Sequence, residues 1–388
     1  MKVDRLPNPP AAMAEHSHRV RAHIANRIRQ LEGGLDFSEF MELALYAPGL
    51  GYYVNGTAKL GRGGDFVTAP ELGGLFGAAI ASQCVAVLSS LENASVLEYG
   101  AGSGALCEQI LTRLDEAGKV PETYLILEVS PELKARQHER LSQLPVDLAG
   151  RVRWIDSLPE HFSGVVIANE VLDAIPVSRF TVRDNRGFAR LVTESEDELA
   201  WGTSNKPDSR LDSLVQRYEL PHGYVSEMCH SIYGWIRSLV NCLDQALILL
   251  VDYGYPGREY YHPERRQGTL RCHYQQFAHD DPFRFPGIQD ITAHVDFTAV
   301  AEAALAEQLQ LYGFTNLAGF ILSTGIIETV DMQSFTIEQQ MRLSNELKRL
   351  TLPSEMGEVF KVMALSRDID VPLSGFRLQD ARHRLEVN

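Results

Sequence analysis

Apolar and polar positions change rhythm several times along this chain. In the first part the period is helical. Val20, Ile24, Ile28 and Leu31 recur at the spacing of one helix face, after a Pro- and Ala-rich start at residues 1–14 read as loose, and Gly33-Gly34 closes the run. FSEFMELALY predicts a second helix, opened by Asp36 and Glu39 in a capping-box pattern. ELGGLFGAAIASQCVAVLSSL predicts a third, apolar almost all round. Between these two lies PGLGYYVNGTAKLGRGGDFVTAPE, dense in glycine and aromatic residues, the composition of a loop that folds over something.

From Ser95 short apolar runs alternate with helical ones. ASVLEYG, TYLILEVS, RVRWIDSL and GVVIANEVLDAIP read as strands; GALCEQILTRLDEAG and a segment starting at Ser130-Pro131 read as helices between them. That alternation predicts a parallel sheet with crossover connections. PVSRFTVRD, GFARLVTES and DELAWG, joined by turn residues such as Asp184 to Gly187, interrupt it as an antiparallel insertion at about 177–225. A helix near 227–243 leads into ALILLVDYGY, a continuous apolar strand returning to the sheet. Helices near 297–312 and 337–350 and a late strand, EVFKVMALS, follow. The expected class is α/β. Residues 1–90 would be N-terminal helices and a glycine-rich cap loop, and 91–388 a core carrying the insertion.

Composition narrows the function classes. Hydrophobic residues make up 45% of the 388 and charged residues 22%, an ordinary globular balance that excludes disorder and fibrous repeats. The formal net charge of −15 opposes nucleic acid and anionic membrane surfaces. No apolar run is long enough to span a bilayer, so no membrane insertion is expected. Cys84, Cys107, Cys229, Cys242 and Cys272 contain no CxxC pair and predict reduced thiols of a cytoplasmic protein. His262, Cys272, His273, His279 and His294 match no zinc-ligand spacing; scattered loop positions and no metal are expected. Arg5, Arg19, Arg21, Arg27 and Arg29 could suit an organelle transit peptide, but the helical spacing around them reads equally well as the first helix of the domain.

The chemistry centres on Glu98, Tyr99, Gly100, Ala101, Gly102, Ser103 and Gly104. A strand running into glycines and then a helix sets bare backbone N–H groups beside a ligand. Gly100, Gly102 and Ala105 also satisfy the relaxed dinucleotide fingerprint, so a dinucleotide and a plain strand–helix turn both stay open. Glu98 would repel a pyrophosphate and attract the cationic, phosphate-free S-adenosylmethionine. Glu128 ends the second strand, where an acid can accept ribose hydroxyls or simply start a solvated helix. Asp156 and Ser157 follow the third strand, at the place of an adenine edge or of an ordinary turn. Asn169, Glu170 and Asp173 end the fourth strand, on the edge that faces the crevice of an open α/β sheet. Glu170 and Asp173 could clamp a guanidinium, although Asp173 would equally serve as a helix N-cap. The segment Arg62 to Glu71 could close over a cofactor, and Asp252-Tyr253-Gly254 ends the fifth strand on the same edge. No GxSxG elbow, P-loop or HExxH occurs.

These motifs resemble the MidA-like class I methyltransferases, a family that includes the mitochondrial complex I assembly-factor type of protein arginine methyltransferase. The resemblance is carried by FSEFMELALYAPGLGYY, GRGGDFVTAPE, LEYGAGSGAL, LEVSPELKARQ, ANEVLDAIPV, DYGY, GTLRCHY, GIQDITAHVDF and MGEVFKVMAL, spanning about residues 36–365. It implies a Rossmann-like, mostly parallel seven-strand sheet binding S-adenosyl-L-methionine, and methylation of an arginine in a protein partner, with a respiratory complex I-like subunit as candidate. Glu98, Gly100, Gly102, Gly104 and Glu128 carry over to the cofactor; Asp65, Asn169, Glu170 and Asp173 would border the transfer site. The expected setting is the bacterial cytoplasm, or the mitochondrial matrix in a eukaryote. Two other classes remain: an assembly chaperone that binds the cofactor with little catalysis, and an NAD-dependent oxidoreductase, which Glu98 disfavours. Apolar positions on the C-terminal helices would suit a homodimer.

Overall fold

The computed structural model describes residues 6–55, 68–330 and 335–387. The chain forms two compact units, one from residues 1–66, 173–232 and 257–296, the other from 67–172, 233–256 and 297–388. Strands of three or more residues are, in chain order, β1 (Ser95–Tyr99), β2 (Tyr124–Leu127), β3 (Val152–Ile155), β4 (Phe162–Asn169), β5 (Ser178–Arg183), β6 (Arg186–Ser195) and β7 (Glu198–Thr203). They continue with β8 (Val225–Met228), β9 (Leu243–Tyr255), β10 (Arg271–Tyr274), β11 (Phe277–His279), β12 (Asp290–Thr292), β13 (Gln310–Asn316) and β14 (Phe360–Arg367).

The second unit is built on a seven-strand sheet in the order β13-β14-β9-β4-β1-β2-β3. The pairs from β9 to β3 are parallel, while β14 runs antiparallel to both β9 and β13. Parallel strands covered on both faces need continuous apolar runs, and residues 246–251 of β9 are buried without a break. The helix Leu75–Leu88 presents Phe76, Ile80, Cys84 and Val87 to a core that also holds Val96, Ile110, Leu114, Tyr124, Val165, Leu249, Phe320 and Leu350. Glycine is required where β4 meets β1. Gly164 lies opposite Ser95 with φ +140, and a Cβ there would stand 1.9 Å from the Ser95 carbonyl oxygen.

The first unit holds the insertion. Its sheet runs β8-β5-β6, with β7 on the other edge of β6, and Leu35–Asp36 adds two residues beside Val192 and Leu191. Asp184 and Asn185 both take left-handed φ at the β5–β6 turn, as a two-residue hairpin with the strands' own twist demands. A three-strand sheet, β11-β10-β12, completes this unit. Val20, Ile24 and Ile28 of helix Ala11–Ile28 pack with Phe37, Phe40, Met41, Val192, Leu270 and Ile291.

Several expectations are corrected. The Pro- and Ala-rich start is helical from Ala11, and that helix ends at Ile28 rather than near Leu31. Asp36 caps the second helix through the backbone N–H of Ser38, and Glu39 bonds Arg27 instead of closing a box. The segment near 227–243 divides into β8 and the helix Ser231–Val240, because Val225–Met228 pairs with β5. The run from Phe297 is helical only to Ala306; left-handed Gln308 then turns the chain into β13, which takes Tyr312. The insertion also carries a helix, Ser209–Arg217. His273 and His279 stand on strands, not loops, because β10 and β11 form a hairpin that the short runs did not disclose.

Candidate active site

In the second unit the carboxyl ends of β1, β2, β3, β4 and β9 lie along one edge, since these strands are parallel neighbours. Glu98, the glycine turn, Glu128, Asp156, Ser157, Asn169, Glu170 and Asp252 are thereby brought to that edge. Gly100, Gly102 and Gly104 have φ of +59, +54 and +83. Such a path is open to glycine at little cost, and it delivers the chain into the helix Ala105–Glu116, with Gly104 at its N-cap. Arg140 ties the turn to what precedes it, donating to Ser103 Oγ at 2.7 Å and to Glu71 Oε1 at 3.2 Å, with Glu108 Oε2 2.9 Å from its Nε.

Glu98 is 2% exposed, and one of its oxygens accepts a bond from the Tyr124 hydroxyl at 2.8 Å. Burial pushes its carboxyl up to about 7; the Tyr124 bond opposes the shift and the charge of Glu128 adds to it. Near neutral pH this acid can therefore hold its proton, and an arriving cation would favour its ionised form.

Glu128 is 5% exposed rather than solvated. Its Oε1 accepts from the Ser130 backbone N–H at 2.8 Å and its Oε2 from Gln137 Nε2 at 2.9 Å. Burial raises its carboxyl, and these hydrogen bonds hold the rise back. Gln137, fully buried, joins three parts of the site. The same Nε2 donates to the Gly102 carbonyl at 2.9 Å, and Oε1 accepts from the Trp154 indole at 2.9 Å. Trp154 in turn stacks on His138 at 3.6 Å. Asp156 and Ser157 are exposed, with Asp156 paired to Lys134 at 2.7 Å.

Where β4 ends, Glu170 adopts a left-handed φ of +54 and its N–H bonds the Val251 carbonyl at 2.9 Å. Fully buried Asp252 holds the turn that follows. Its Oδ2 accepts from the N–H groups of Val171 at 3.1 Å and Leu172 at 2.9 Å, and its Oδ1 from Tyr253 at 2.9 Å. Asn169 donates to Glu170 Oε1 at 3.2 Å, while its own Oδ1 is buried without a hydrogen bond among the described residues.

Asp173 belongs to the first unit, where it is buried and its carbonyl accepts from the Ala293 N–H at 3.0 Å. Tyr53 donates to Asp290 Oδ1 at 2.9 Å in the same unit and stacks on Tyr46 at 5.4 Å. Burial, then the charges of Asp290, Tyr46 and Asp173, push the Tyr53 phenol well above its usual range. Asp65 lies outside the described residues. Sequence reasoning missed Tyr124, and it passed over Gln137, although a glutamine between Leu133 and Leu141 on one apolar helix stripe was a visible signal. Among the described residues no His, Cys, Asp and Glu group could hold a metal ion, and no helix is long and apolar enough to cross a membrane.

A family model described as "Putative S-adenosyl-L-methionine-dependent methyltransferase" matches residues 79–315. A superfamily member from Burkholderia thailandensis, solved with S-adenosyl-homocysteine bound, is 38% identical. It covers 98% of this chain and 100% of its own, with a TM-score of 0.93. A native structure from the same organism, also 38% identical with the same coverage, has a TM-score of 0.88. The mitochondrial protein arginine methyltransferase NDUFAF7 of Danio rerio is 27% identical over 88% of this chain and 86% of its own. The Drosophila melanogaster homologue is 26% identical over 92% and 88%.

Proposed function

Because this chain belongs to the family of S-adenosyl-L-methionine-dependent methyltransferases, we propose that its acceptor is an arginine side chain of a protein partner. The step from Asn169 to Glu170 carries this reading. A left-handed acid on a stapled turn stands beside an amide whose buried oxygen has no hydrogen bond among the described residues. A guanidinium brings five N–H donors and no acceptor, the complement of such a pair. The names of the curated relatives support the same acceptor class, and a respiratory complex I-like subunit is the candidate partner. A bacterial cytoplasmic setting goes with this reading.

The residues present fit the cofactor. Glu98, buried and readily ionised by a cation, suits its ammonium and sulfonium. Glu128 suits the ribose hydroxyls, the turn at Gly100, Gly102 and Gly104 offers backbone N–H groups, and Asp156 with Ser157 would border the base. When bound, S-adenosyl-L-methionine supplies a methyl group already activated by its positive sulfur. The chain's part is alignment and a field. Glu170, with Asn169 beside it, would hold the guanidinium and draw its charge away from the attacking nitrogen. As the new C–N bond forms and the C–S bond breaks, Glu170 would accept the proton that the nitrogen loses.

Labelled methyl transfer, followed by mass spectrometry of candidate partners, tests the acceptor. Methylated arginine is expected, and Glu170→Gln should lower turnover about tenfold or more, with S-adenosylhomocysteine affinity within about twofold of wild type. Label on lysine or on a small molecule would reject the arginine reading, and client binding without cofactor consumption would leave the chaperone.

Gln137→Leu should weaken S-adenosylhomocysteine binding about tenfold. It deprives Glu128, the Gly102 carbonyl and the Trp154 indole of one shared partner, a loss of about 1–1.5 kcal/mol. Calorimetric titration reads this directly, and unchanged affinity would remove Gln137 from the cofactor site.

A further inference from the structure

The insertion carries a cationic cluster that methyl transfer leaves without a task. Arg179 on β5 and Arg190 on β6 are directly opposed across the antiparallel ladder. Arg183 lies four residues along β5 from Arg179, on the same face because strand side chains alternate. Both Arg179 and Arg190 approach the indole of Trp201 on β7, with Cζ 4.8 and 5.2 Å from the ring centroid. Phe37 at 5.0 Å and Phe283 at 4.8 Å hold that ring in place. Arg183 is exposed and lies over Phe188 at 5.8 Å.

Acids do not balance this group. Arg179 has Glu227 at 3.3 Å, and Glu227 is also engaged by the Thr269 N–H and hydroxyl. Arg186, at the hairpin end, is matched by Asp212 at 2.8 Å. Among the described residues Arg190 has no carboxylate partner, and its Nε is buried without a hydrogen bond. Burial, then Arg179 and Arg183, hold its guanidinium below the usual range. Like charges directly opposed on a ladder repel, and a half-buried cation without a counter-ion costs stability. An anion with planar, bidentate oxygens would remove both penalties.

We propose that this face of the insertion is a receptor for an extended acidic segment of a protein partner, with Arg190 gripping a carboxylate on the Trp201 platform. Four residues of strand span about 13 Å, so the row from the Arg179–Arg190 pair to Arg183 can meet two acidic side chains of an extended peptide. It is longer than a single small anion needs, and the planar guanidinium groups of Arg190 and Arg183 match carboxylates at that spacing. The proposal does not depend on the identity of the methyl acceptor.

Hexaglutamate and inorganic phosphate serve as probes on the full chain, by titration and thermal shift. Wild type is expected to bind the peptide, with affinity that falls as salt rises. Arg190→Gln should weaken it about tenfold while retaining S-adenosylhomocysteine affinity, and should melt no lower than wild type without peptide, since it removes an unbalanced charge. Arg183→Gln, on an exposed position where only the contact over Phe188 is lost, repeats the test and should weaken the peptide by a smaller factor. Peptide affinity unchanged in both variants, no peptide binding by wild type, or binding of phosphate alone would each overturn the proposal.

Discussion

Glu98→Gln is expected to weaken S-adenosylhomocysteine binding about thirtyfold and, at the same time, to stabilise the ligand-free protein above pH 7. The affinity loss follows from replacing a charge-assisted bond to the ligand's ammonium by a neutral one, about 2 kcal/mol. The gain in stability follows from linkage. The Glu98 carboxyl sits at about 7 in the folded protein, above its ordinary 4.5, because burial disfavours the charge. Between those values the folded state binds more protons than the unfolded one, so wild-type stability falls as pH rises through that window and levels off above the folded value. A shift of this size corresponds to at most about 3 kcal/mol. Glutamine keeps an acceptor for the Tyr124 hydroxyl and has no charge to bury. Thermal unfolding at pH 5 and pH 8 should therefore give curves that nearly agree at the lower pH and separate at the higher, with the variant more stable. Ligand binding near pH 7 should also release a fraction of a proton from wild type, visible as a buffer-dependent heat, and none from the variant. Equal stability at both pH values would mean that the carboxylate is not desolvated; equal affinity would mean that it does not meet the ligand.

What the sequence made legible divides along physical lines. The glycine turn could be read because a strand that must bend at positive φ before a helix needs glycine at fixed places, and Gly100, Gly102 and Gly104 all take that path. The acids at strand ends could be read because parallel neighbours bring those ends to one edge. Tyr124 could not, since an aromatic residue in an apolar strand looks like core until its hydroxyl is seen against Glu98. The antiparallel hairpin of the insertion was legible from Asp184 and Asn185, whereas β10 and β11 were not, because short runs with histidines carry little period. ANEVLDA reads as one continuous motif, yet Asn169 and Glu170 belong to one unit and Asp173 to the other. Nothing in a string of residues marks that division. Asp252 was legible as an edge acid only; three backbone N–H groups engage it, which makes it a positioning residue.

Asp252→Ala should therefore cost more turnover than any change on the cofactor side, at least a hundredfold in kcat, with S-adenosylhomocysteine affinity within about threefold of wild type. Removing the carboxylate strands the N–H groups of Val171 and Leu172, each worth about 1–3 kcal/mol when buried without a partner. The turn would relieve that cost by moving, and Glu170 could then leave the left-handed conformation that aims it. A displacement of about 1 Å in a group that aligns an acceptor can cost a hundredfold in rate. Asp252→Asn keeps one oxygen able to accept from both N–H groups and should recover much of the loss; the alanine variant should not. The split between kcat and cofactor affinity separates positioning from general damage. If Asp252→Ala loses cofactor affinity in parallel with turnover, the β4 turn serves the cofactor rather than the acceptor, and the roles given to Asn169 and Glu170 fail with it.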